Sequence, residues 1–132
     1  MKQVTYLSPV EYPDMDPAQI RTLCMDLGLH QAEDVICRAM EELAQRLCQV
    51  QDMAVSGPRQ DMHKTLRSLS AIAQQIGMTS LSRVAHDVMT CIEFGDIVAE
   101  AATLARLART GERSLTQLWD INEFSILSLI HI

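Results

Sequence analysis

Aromatic side chains are almost missing from this chain: its 132 residues hold one Trp, two Tyr and two Phe. Sheet-favouring aromatics are scarce while Ala, Leu, Met, Gln and Glu are abundant, so the composition favours helix around an aliphatic, methionine-rich core. A basic excess is missing too. The formal net charge is −6, which removes any general attraction to nucleic acid or to an anionic membrane surface. No run approaches the ~20 apolar residues of a spanning helix, and Met1 to Tyr12 lacks the basic start and apolar stretch of a signal peptide. A cytoplasmic protein is therefore the expectation. There is no low-complexity tract and no strong internal repeat, and the length suits one domain.

Metal and redox motifs are also lacking. Cys24, Cys37, Cys48 and Cys91 form no C-x-x-C pair, have no histidine at zinc spacing, and stand without the E-x-x-H pattern of carboxylate-bridged bundles. Free thiols buried on helical stripes are expected, with no metal and no cofactor.

What the chain does have is helical periodicity. Residues 1–15 hold Pro9 and Pro13 with little pattern and read as an extended arm whose order depends on docking. Asp16 and Pro17 then make an N-cap and a first turn, Ile20, Leu23, Cys24 and Leu27 follow, and Gly28 ends a short helix. A long helix is predicted from about Gln31 to about Ala54, with Val35, Ile36, Met40, Leu43, Leu47 and Val50 as its stripe. Ser56-Gly57-Pro58 breaks it. Phe94-Gly95-Asp96 makes a later turn, with Asp96 capping a helix that carries Ile97, Ala101, Leu104, Ala105 and Ala108; Gly111 marks a bend or a weak point before Leu115, Leu118 and Trp119 resume the stripe. The final FSILSLIHI is apolar enough to demand a partner, either the rest of the chain or a second copy.

The central stretch is the most telling. Met62, Leu66, Leu69, Ile72, Ala73 and Ile76 form one stripe at three-and-four spacing, Gly77 stops it, and Thr79 and Ser80 offer hydroxyls to cap a second helix striped by Leu81, Val84, Ala85, Val88 and Ile92. This hairpin resembles the histidine-containing phosphotransfer (HPt) domain, in which an A-H-x-L-K-G stretch precedes a glycine ten residues after the histidine and an L-x-x-L-A-x-x-L-E pattern follows. Leu81, Val84, Ala85 and Val88 stand at the matching places of that second pattern. At the histidine position stands Arg67, with Leu66 for the alanine, Ser70 for the lysine, Ala71 for the glycine and Met89 for the glutamate.

The resemblance covers roughly Asp16 to Asp120. It implies an all-α fold, an antiparallel four-helix bundle over residues 16–122 with a short N-terminal helix and an apolar C-terminal extension at 123–132. It also implies a place in two-component phosphorelay signalling, as a protein-interaction module that binds a response-regulator receiver domain or a histidine kinase. Arginine stays protonated and cannot attack an aspartyl phosphate, so the expected member is a pseudo-phosphotransfer domain: not an enzyme, and not a relay. The docking face implied is His63, Leu66, Arg67, Ser70 and Ala71, with Arg67 free to make a forked pair with carboxylates or a phosphoaspartate.

Two alternatives stay open. His63, one turn before Arg67, is the replacement nucleophile if the chain is an active relay; and a homodimer through the C-terminal tail would make it a structural bundle. His86 and Asp87 are adjacent, hence about 100° apart on a helix, and form no dyad.

Overall fold

The computed structural model describes residues 15–124. Most of the expected N-terminal arm, and all but the start of the expected C-terminal tail, lie outside the described residues. Five helices account for nearly all of what is described, and no strand occurs among the described residues: α1 Pro17–Leu27, α2 Leu29–Ser56, α3 Arg59–Gln75, α4 Thr79–Phe94 and α5 Ile97–Phe124.

The punctuation is mostly where the sequence puts it. Asp16 accepts from the Ala18 N–H at 3.1 Å as the N-cap of α1, and Gly28 (φ 87°) ends that helix. Helix α2 begins directly after Gly28 and is longer at both ends than the expected Gln31 to Ala54. Gly95, left-handed at φ 69°, closes α4, and the Asp96 carboxylate then accepts from the Ala99 N–H at 3.0 Å. One expected cap is corrected. Thr79 and Ser80 already belong to α4, whose N-cap is Met78 with no side-chain cap bond; the fully buried Met78 anchors that end by packing instead.

The connectors hold one to three residues, so successive helices turn back on one another. Cross-helix contacts give the directions. Arg46 Nε donates to Ser68 Oγ at 2.7 Å, while Thr65, earlier on α3, meets Met53, later on α2. The pairs His63–Glu93 and Ser70–His86 run the same way between α3 and α4, as do Thr103–Cys91 and Arg106–Asp87 between α4 and α5. Helix α5 then returns onto α2, where Gly111 lies against Leu47, and a groove further along is shared by Met40, Ala44, Leu115 and Trp119. Helix α1 packs on α2, with Ile20 and Cys24 buried.

The core is aliphatic, as composition predicts: Ile36, Leu43, Met62, Leu66, Leu69, Met78, Leu81 and Leu107 are among its fully buried side chains. Each contributes on the order of 1.5–3 kcal/mol, against about 0–1 kcal/mol for an exposed ion pair such as Arg106–Asp87. Apolar contact therefore decides the packing.

The expected face of α5 is only partly right: Leu118 is buried and Leu104 and Leu115 pack against the core, but the rest of the stripe is out of phase. Ile97 is 73% exposed, and Ala101, Ala105 and Trp119 are exposed too. The buried side is Glu100, Leu107, Thr110, Gly111, Ser114 and Leu118. Alanines all round the helix blur its apolar phase, and the polar residues inside it point a pattern search the wrong way. Gly111 does not end α5, which runs continuously through it. The cysteines need a correction as well: only Cys24 is buried, Cys91 is half-buried, and Cys37 and Cys48 are exposed.

Candidate interaction face on helices α3 and α4

The outward side of α3 concentrates positive charge in a chain that is negative as a whole. Arg59, Lys64 and Arg67 line an open cleft of about 580 Å³ with Gln60, His63, Ile92 and Glu93. Four-residue spacing along α3 brings Arg59, His63 and Arg67 into line. Ile92 and Glu93, from the last turn of α4, supply the opposite wall.

A directed chain of hydrogen bonds crosses this cleft. Arg67 Nη2 lies 3.4 Å from His63 Nδ1, and His63 Nε2 lies 2.8 Å from Glu93 Oε2. A guanidinium only donates, so His63 Nδ1 accepts and the ring proton sits on Nε2, donated to the Glu93 carboxylate. Both imidazole nitrogens are thereby engaged. The remaining Arg67 N–H groups stay on an exposed surface.

At the mouth of the cleft Arg59 Nη2 reaches Glu100 Oε2 at 3.1 Å, with the Glu100 side chain only 7% exposed. This ties the start of α3 to the start of α5. Beside it Phe94, Ile97 and Val98 stand largely exposed around the Gly95 turn, an apolar rim next to a cationic cleft.

Seven residues further along α3, a second polar cluster bridges the same two helices. Ser70 Oγ lies 2.8 Å from Ser82 Oγ and 3.0 Å from His86 Nδ1, which is also 3.2 Å from the Ser82 carbonyl oxygen. Ser70 and Ser82 are buried and His86 is exposed.

The residues assigned to the docking face from sequence separate accordingly. Arg67 and Ala71 are exposed, and His63 is half-buried beside Arg67. Leu66 is fully buried in the core and Ser70 is 2% exposed, so neither can touch a partner. One residue step turns a helix by about 100°, which carries Leu66 inward from Arg67; Ser70 is covered by α4 through Ser82. Lys64, Arg59, Glu93 and Ser82 had no part in the sequence assignment. Lys64 and Arg59 share the α3 spacing and could have been read from it, whereas Glu93 and Ser82 join only through the register between helices.

Asp87 pairs with Arg106 on α5 at 3.5 Å, while the His86 ring meets Ser70 and Ser82. No group of three or more His, Cys, Asp or Glu residues able to hold a metal occurs among the described residues, and no described helix is long and apolar enough to cross a membrane. The Cys24 thiol is pushed up from its ordinary value by burial and, secondarily, by the Glu33 carboxylate, which keeps it a neutral packing group.

No protein-family model, curated protein or solved structure matches this chain.

Proposed function

We propose that the chain is an HPt-like interaction module of two-component signalling, built as an antiparallel four-helix bundle with a short leading helix, which binds a receiver domain or a histidine kinase without relaying phosphate. The observation that carries this reading is the position of Arg67. It occupies the place that the hairpin resemblance gives to the phosphorylatable histidine, it is exposed, and it stands in a cleft with Lys64 and Arg59.

A fixed guanidinium among further cations suits an acidic partner, because forked N–H···O pairs to a carboxylate or phosphoryl group add direction to charge. His63 steadies Arg67 from one side and leaves its other donors outward. The exposed Phe94, Ile97 and Val98 offer the apolar area that a protein partner requires and a small anion does not.

Relay through His63 is the weaker reading. Its Nε2 proton is given to Glu93, and attack on a phosphoryl group would require that proton to leave and a carboxylate to face the incoming anion. Homodimerisation through the C-terminal tail rests on residues outside the described ones.

The test is binding and transfer with a panel of receivers and histidine kinases from the same organism, the phosphorylated receivers being freed of small phosphoryl donors. Wild type is expected to bind a receiver or kinase without acquiring label from it. Arg67→Glu should weaken that binding roughly tenfold or more, and Arg67→His should gain label. Absence of binding to every receiver and kinase would overturn the proposal. Label on the wild type that disappears in His63→Ala would replace it with an active relay.

A further inference from the structure

The Ser70–Ser82–His86 cluster is a polar arrangement for which docking has no use. Ser70 is 2% and Ser82 9% exposed, and burying two hydroxyls is unfavourable unless both are bonded. They satisfy each other at 2.8 Å, and Ser70 Oγ also meets His86 Nδ1 at 3.0 Å. The Ser82 carbonyl oxygen, 3.2 Å from the same nitrogen, can only accept. A ring lone pair aimed at it would be repelled, so Nδ1 carries the proton. The Ser70 hydroxyl then donates to Ser82 and presents its own lone pair to Nδ1–H. The carbonyl contact selects this tautomer, and the two hydroxyl contacts accommodate it.

A neutral imidazole protonated on Nδ1 is a nucleophile at Nε2. That nitrogen belongs to an exposed ring at the edge of an open cavity of about 400 Å³, lined also by Gln74, Thr79, Ser82 and Arg83. Arg83, three residues before His86 on α4, is on the same side and supplies a guanidinium for phosphoryl oxygens. Gln74 and Thr79 add neutral donors.

His63 forms the contrast: its Nε2 carries the proton and is held by a carboxylate. The two histidines of the α3–α4 face are fixed in opposite tautomers, and only His86 has its outer nitrogen available.

We infer that His86 Nε2 is a phosphoryl-acceptor site on α4 for small acyl phosphates, with Ser70 and Ser82 as positioning residues and Arg83 as the phosphoryl-binding cation. The Nε2 lone pair forms the N–P bond, the P–O bond to the acyl group breaks, and the carboxylate leaves with the bonding pair. Nδ1 keeps its proton on Ser82 and Ser70, so no proton transfer is needed. This modification goes beyond the docking reading: receiver binding by the unmodified chain is measured separately, and either result can fail alone.

The probe is acetyl phosphate, applied to the full chain, with phosphohistidine located by mass spectrometry under alkaline conditions and the exposed His30 as internal reference. His86 is expected to acquire label roughly tenfold faster than His30, in line with stabilisation of the transferring group by Arg83. Arg83→Gln should remove most of that advantage. Ser70→Ala should slow labelling and shift the His86 ¹⁵N resonances from a single Nδ1–H form to mixed tautomers, which a merely structural role for Ser70 would not do. His86→Gln, at an exposed position, should abolish label at that site with the fold intact. Equal rates at His30 and His86, or no label on the folded wild type, would overturn the assignment.

Discussion

Asp16 and Gly77 hold each other through the backbone: the Asp16 N–H donates to the Gly77 carbonyl oxygen at 2.7 Å, and the Asp16 carbonyl oxygen lies 2.8 Å from where a Cβ on Gly77 would stand. The entry to α1 is thereby fixed on the turn between α3 and α4, with Met15 buried beside it. This glycine serves two purposes, a left-handed turn (φ 79°) and a close approach of two chain segments.

Gly95 separates those two contributions, because it is also left-handed (φ 69°) but has open space around it. Alanine at Gly95 should cost only the conformational strain, about 1–2 kcal/mol. Alanine at Gly77 should cost that and a further ~1 kcal/mol or more from the clash with backbone that cannot rotate away. Urea unfolding of the two variants gives the comparison, and amide exchange should show α1 losing protection only in Gly77→Ala. Equal losses in the two variants would mean that the Asp16 contact is not a constraint.

Cysteine alkylation should follow exposure and thiolate character together. Cys37 and Cys48 should react first, Cys91 more slowly, and Cys24 last, since burial removes access and raises its pKa. Peptide mapping after timed iodoacetamide treatment reads the order. Cys24 modification at the rate of Cys37 in native buffer would show that α1 opens readily from α2.

How far the fold is legible in the sequence is shown by these same residues. The stripes of α2, α3 and α4 are dominated by large aliphatics, with only small residues such as Ala39, Ser70, Ala73, Ser82 and Ala85 between them, so their periodicity names the buried face correctly. Cys37 and Cys48 each come one residue after a buried stripe residue, Ile36 and Leu47, and the same 100° step that turns Leu66 inward turns them outward. That exposure was readable and was missed by treating cysteine as a core residue by type. The face of α5 was readable only at its leucines, Leu104, Leu115 and Leu118; elsewhere alanine carries little phase information and the interior of that helix includes Glu100, Thr110 and Ser114. In the candidate site, Arg67 and His63 could be placed from α3 alone. The tautomers of His63 and His86 depend on Glu93 and Ser82 across the helix interface, and no spacing within a single helix encodes that register.

Glu100 offers a test of how the interior of α5 is kept stable. Its carboxylate is nearly out of solvent, and Arg59, half exposed, is its partner at 3.1 Å. Removing the arginine leaves a buried charge with one partner fewer, which costs about 1–3 kcal/mol. Arg59→Ala should therefore destabilise more than the double variant Arg59→Ala with Glu100→Gln, in which the charge is gone too. Thermal unfolding at matched pH decides it, and a double variant weaker than Arg59→Ala alone would show that Glu100 is stabilised by something other than Arg59.

Gly111 and Leu47 govern the approach of α5 to α2, and here two opposing effects can be told apart by sign. Alanine is favoured over glycine within a helix by about 1 kcal/mol, and α5 is continuous through Gly111. Against this, an added Cβ would stand 2.6 Å from Leu47 Cδ1 and 3.0 Å from Cδ2. Leu47 would have to turn aside, with the cleft it lines beside Val50, Leu104 and Leu107 as the space at hand, exchanging its close contact at Gly111 for looser packing there. Overpacking of this kind costs about 1–3 kcal/mol, so Gly111→Ala alone should destabilise by about 1 kcal/mol net. With Leu47→Ala in place the obstacle is gone and only the helix preference remains, so the same substitution should stabilise by up to about 1 kcal/mol. A four-corner cycle of urea midpoints measures the coupling. If Gly111→Ala has the same sign in both backgrounds, Leu47 does not set the helix separation, and the close approach of α2 and α5 must be fixed elsewhere along their length.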